Sequence, residues 1–117
     1  MPISEQNKLN LIDALERTKS KARRLVLTLR FRNRDTEARQ VQRRARKLTK
    51  QIDELISAAM EDWLGSAKKI NDRLDRTNVK LQSSIRNIQN KKNVEDNVIK
   101  ALSYLDDAIE IAVDLIG

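Results

Sequence analysis

Apolar residues recur along this chain in steps of three and four. The first run, Ile12, Leu15, Ala22, Val26 and Leu29, follows Ser4, Glu5 and Gln6. A serine before a first acidic turn is a helix N-cap, so the spacing predicts a helix over about 4–30. That run ends in Arg30-Phe31-Arg32-Asn33-Arg34. Its cations suit the negative end of a helix dipole, and Asn33 or Asp35 with Glu37 suits the next start, which places a turn at 31–35.

Beyond the turn, Ala38, Val41, Ala45, Leu48, Ile52, Leu55 and Ala59 form one seam, and Trp63, Ala67, Ile70, Leu74, Leu81, Ile85 and Ile88 carry it onward. A further boundary falls at Asn90-Lys91-Lys92-Asn93, after which Val98, Leu102, Leu105, Ile109, Ala112 and Ile116 repeat in heptads. The pattern predicts an all-α, up-and-down four-helix bundle with helices at about 4–30, 35–64, 66–90 and 94–116, in one domain over 1–117.

Gly65 decides between that bundle and a second form. Gly65-Ser66 fits a helix end followed by a new N-cap. Against a break, Glu61 and Asp62 would crowd a C-terminus, and Lys68 and Lys69 an N-terminus, the wrong sign at both ends. An unbroken helix over 35–90 would run roughly 84 Å at 1.5 Å per residue and would need dimerisation to complete a four-helix cross-section. Both forms are open on the sequence.

Composition agrees with helices and narrows the chemistry. Only 2 Gly and 1 Pro stand among 117 residues, aromatics are 3%, and 35% of residues are charged. The chain has neither His nor Cys, so the usual transition-metal ligands, thiol nucleophiles and commonest general base are missing. No phosphate-binding glycine loop or nucleophile elbow is present, and no apolar run reaches the length of a membrane span. The expectation is a cytoplasmic protein that is not an enzyme, with no metal, no cofactor, no evident small-molecule substrate and no membrane span.

The charge, +7 overall, is unevenly placed. Residues 17–50 hold fourteen Lys and Arg against Asp35 and Glu37, a local balance of +12. In the last 25 residues, six acids face Lys100 alone. At 100° per residue, Val41, Ala45, Leu48 and Ile52 cluster within about 60°, with Arg39, Arg43, Arg46 and Lys50 nearly opposite. The first helix repeats the pattern with Arg17, Lys21 and Arg24 opposite Leu15, Ala22 and Leu29. These seven cations are the candidate partner-binding face. The leading expectation is an adaptor or scaffold binding another protein or a second copy of itself; the alternative is a nucleic-acid-binding accessory protein contacting phosphates through residues 17–50.

Three smaller features complete the reading. Asp107, Glu110 and Asp114 share a flank of the last helix; without His they suit pairing with the basic helices better than a metal. Lys19 falls on the first seam, where a polar residue snorkels or fixes register. Trp63-Leu64-Gly65 resembles the Trp-x-Gly turn of a family of small secreted helical-hairpin proteins. The likeness spans three residues, and here an extra helix is expected on each side, so a core or interface role for Trp63 is the simpler expectation.

Overall fold

A computed structural model describes residues 4–116, with four helices and a short crossing between the second and third. The helices are α1 (Glu5–Phe31), α2 (Asp35–Ser57), α3 (Ala67–Gln89) and α4 (Val94–Asp114). α1 packs on α2 and α3, and α4 packs on the same two, so α2 and α3 occupy opposite corners of a square. Successive helices run up and down, and the α2–α3 connection crosses the diagonal. The molecule measures 46 × 22 × 17 Å, about half the length an unbroken 35–90 helix would require.

The helix ends follow local chemistry. Ser4 accepts the Asn7 N–H at 3.2 Å, which satisfies one of the free donors at the start of α1. Both hairpins end in the same device: the Arg34 N–H donates to Leu29 O and the Asn33 N–H to Arg30 O, while Lys92 donates to Asn87 O and Lys91 to Ile88 O. These paired bonds are Schellman caps, and they place Asn33 and Lys91 in the left-handed region, each with φ 59°. Asparagine tolerates that backbone; for lysine it is strained.

The crossing departs from the expected helix to residue 64. α2 stops at Ser57, Ala58 and Ala59 are extended, and Met60–Asp62 make a 3-10 turn. Trp63 then pairs with Ile116 in an antiparallel bridge, and the Leu64 N–H donates to Leu115 O at 2.7 Å. The indole is 4% exposed, and Lys8 Nζ lies 5.3 Å from its ring centroid. Gly65 takes φ +92°, a backbone angle that calls for glycine, and a Cβ there would meet only the movable Ile70 Cδ1, at 2.9 Å.

The charge objection to a break at Gly65 therefore dissolves at one end. Glu61 and Asp62 lie beyond α2 and crowd no terminus. At the other end it stands, because α3 opens with Lys68 and Lys69 and has no acid in its first turn. An exposed dipole mismatch costs about 0.3–1 kcal/mol, less than the burial of one tryptophan contributes.

The core divides into two lobes. Leu11, Leu15, Leu48, Ile52, Leu55, Trp63 and Leu74 fill the lower one, and Leu25, Leu29, Val41, Leu81, Ile85 and Leu105 the upper one. Between them, Thr18 Oγ1 donates to Asn78 Oδ1 at 2.6 Å and Asn78 Nδ2 donates to Ala14 O at 3.1 Å. This buried clip joins α1 to α3 at one height, the register function that the sequence offered for Lys19 as the alternative to snorkelling. Lys19 instead lies beside the seam, 14% exposed and 2.9 Å from Glu16. In α4 the buried apolar stripe is Val98, Ala101, Leu105, Ala108, Ile111 and Ala112, with the expected Leu102, Ile109 and Ile116 only partly covered. Small side chains at 101 and 108 let the neighbouring helices approach, and the larger ones seal the edge.

Candidate polyanion-binding groove

The seven candidate cations do not form one face, because α1 turns its stripe toward α3. Arg17, Lys21 and Arg24 line the groove between α1 and α3, whereas α2 lies diagonally across from α3 and presents its stripe away from that groove. Arg39, Arg43, Arg46 and Lys50 are all exposed, and none of them makes an ion pair among the described residues. Arg46 leans toward α1, beside Arg23, Leu27 and Gln42.

The groove has a sign gradient. At its lower end Asp13, Glu16 and Asp75 accompany the cations, and Arg17 Nη2 stands 3.8 Å from Asp75 Oδ1. Higher up, Lys21 Nζ donates to Gln82 Oε1 at 3.0 Å, and Arg24, Arg86, Arg32 and Lys91 follow along the two walls. No carboxylate lines the end bounded by Arg24, Arg32 and Lys91 among the described residues. Burial, and then the Arg24 and Arg17 guanidinium groups, hold the Lys21 ammonium below the usual lysine range. Crowding of cations is thus built into the wall, and an anion seated there relieves it.

Arg32 Nη2 donates to Gln89 O, tying the α1–α2 turn to the end of α3. Beside it Phe31 is 86% exposed and Leu27 55% exposed. Two large apolar side chains one helical turn apart, ringed by Arg24, Arg32 and Lys91, set this tip apart from the rest of the surface.

The acidic flank of α4 pairs with the basic helices in part. Asp106 takes a two-pronged contact from Arg44, at 2.8 and 3.3 Å, and Glu95 takes Arg34 at 3.3 Å. Asp107, Glu110 and Asp114 are exposed and enter no ion pair among the described residues. No cluster of acids with metal-binding geometry occurs among the described residues. No described helix is long and apolar enough to cross a membrane.

Sequence periodicity missed Arg86, Lys91 and Gln82 as members of a site. The two lysines of Asn90-Lys91-Lys92-Asn93 read only as charges at a helix end, and Arg86 sits in a segment of mixed sign. Their meeting with α1 depends on α3 lying next to α1, a neighbour relation set by the diagonal crossing.

No family model, curated protein or solved structure matches this chain.

Proposed function

We propose that this chain is a non-catalytic interaction domain, an adaptor or scaffold that binds an acidic protein surface through the outer ridge of α2. The observation that carries this reading is the state of Arg39, Arg43, Arg46 and Lys50: exposed, along roughly 16 Å of one helix, and without an internal acidic partner. Arg34 and Arg44 on the same helical segment do have such partners. An unpaired ridge of this kind speeds encounter with an oppositely charged surface and fixes its register. A second copy of the chain qualifies through Asp107, Glu110 and Asp114 on α4.

The test compares the tagged chain with an Arg43→Glu/Lys50→Glu variant in nuclease-treated lysate and by sedimentation at low salt. A protein partner, or self-association, that survives nuclease and disappears with charge reversal supports the reading. Absence of any capture or self-association that survives nuclease, or nuclease-resistant capture that charge reversal leaves intact, contradicts it.

A further inference from the structure

We infer that the upper α1–α3 groove is a binding site for single-stranded nucleic acid, with Lys21, Arg24, Arg86 and Lys91 facing the phosphates and Phe31 stacking on a base. This site is separate from the α2 ridge and stands independently of the reading given to that ridge.

Four observations converge on it. The first is charge: Arg24, Arg32 and Lys91 line the groove's upper end without a carboxylate among them, and Lys21 and Arg86 continue the cationic walls downward until Asp75 joins them, as a backbone-tracking channel requires. The second is the ring. Phe31 is one of three aromatic residues in the chain, and the fold leaves it 86% exposed at the groove's upper end. An exposed aromatic face beside guanidinium groups is a stacking platform for any base. The third is the neutral lining. Gln82, Ser83, Thr28 and Gln89 place hydrogen-bonding side chains between the cations, suited to sugars and base edges. The fourth is backbone strain at Lys91, where a left-handed φ of 59° presents a lysine at a position that favours glycine or asparagine.

Shape distinguishes this ligand from the other polyanions. Packed helices stand about 8–10 Å apart, so the groove between them is too narrow to seat a duplex. A bilayer is flat and reaches convex tips, whereas Lys21 and Arg86 line a concave wall. An acidic amphipathic helix needs an apolar strip recurring over several turns, and the groove offers Leu27 and Phe31 at its upper end with Val79 isolated on α3. From Lys21 to Phe31 the α1 wall is about 15 Å long, room for a short extended strand.

Fluorescence anisotropy with a labelled oligothymidine of about ten residues tests the assignment. The wild-type chain is expected to bind it at low salt. Phe31→Ala should weaken binding about 10-fold or more, Phe31→Tyr should retain it, and the melting curve should be the same for all three, since the ring is exposed. Unlabelled single strand should compete better than duplex of equal length, phosphatidylserine vesicles or polyglutamate. The inference is overturned by absence of oligothymidine binding, by Phe31→Ala binding as tightly as wild type, or by any of those other polyanions competing more strongly than the single strand.

Discussion

The cations of α1 and those of α2 are the same residue types at the same helical spacing, yet the fold gives them different surroundings. On α2 they stand exposed on the helix's outer side, Arg46 alone leaning toward α1 beside Arg23, and no wall of α3 faces them. On α1 they lean into a groove against α3, where Lys21 is partly desolvated, repelled by Arg17 and Arg24, and joined by Arg86 and Lys91 from the other wall. Concave placement concentrates the field that convex placement disperses. Charge count alone therefore does not define a site; the neighbour across the groove does.

The comparison is sharpened most by attacking what holds the groove's walls together. Asn78→Ala removes the buried clip from α3 to Thr18 and Ala14 and leaves Thr18 Oγ1 only its bond to Ala14 O within α1. Chemical denaturation should show a loss of about 1–3 kcal/mol. If the clip also sets the height of α3 against α1, the folded variant should bind the single strand more weakly while the α2 ridge keeps its partner.

A smaller effect, of opposite sign, is expected at the groove's upper end. Lys91→Gly relieves the left-handed strain of the second Schellman cap and should raise stability by up to about 1 kcal/mol in the same denaturation assay. It also deletes a phosphate contact, so single-strand affinity should fall as stability rises. A gain in both would break the assignment of Lys91 to the site.

How much of this was legible in the sequence follows from the range of each interaction. Helix ends set by neighbouring residues were readable: Ser4 caps α1, and the turns at 31–35 and 90–93 fall where their Asn and Lys residues placed them. The seam of α2 was readable because Val41, Leu48, Ile52 and Leu55 repeat without interruption. The stop at Ser57 was not, because nothing in Ala58-Ala59-Met60 disfavours a helix; the chain leaves α2 to deliver Trp63 to Ile116, a contact across 53 positions. The polar clip was hidden for the same reason, as Thr18 and Asn78 have meaning only opposite each other. The candidate site was half legible. Arg17, Lys21 and Arg24 stood out on α1, but their partners on α3 become members only through the diagonal crossing.

The most direct test of the separation between groove and ridge is the salt dependence of oligothymidine binding in two double variants. Each cation that neutralises a phosphate of a single strand contributes about −0.7 to the slope of log K against log salt. Arg24→Gln/Lys91→Gln, in the groove, should flatten the slope by about 1.4, while Arg43→Gln/Arg46→Gln, on the ridge, should leave both slope and stability nearly unchanged. Equal flattening by the two variants would mean that the cations act as one diffuse basic surface, and would contradict the account.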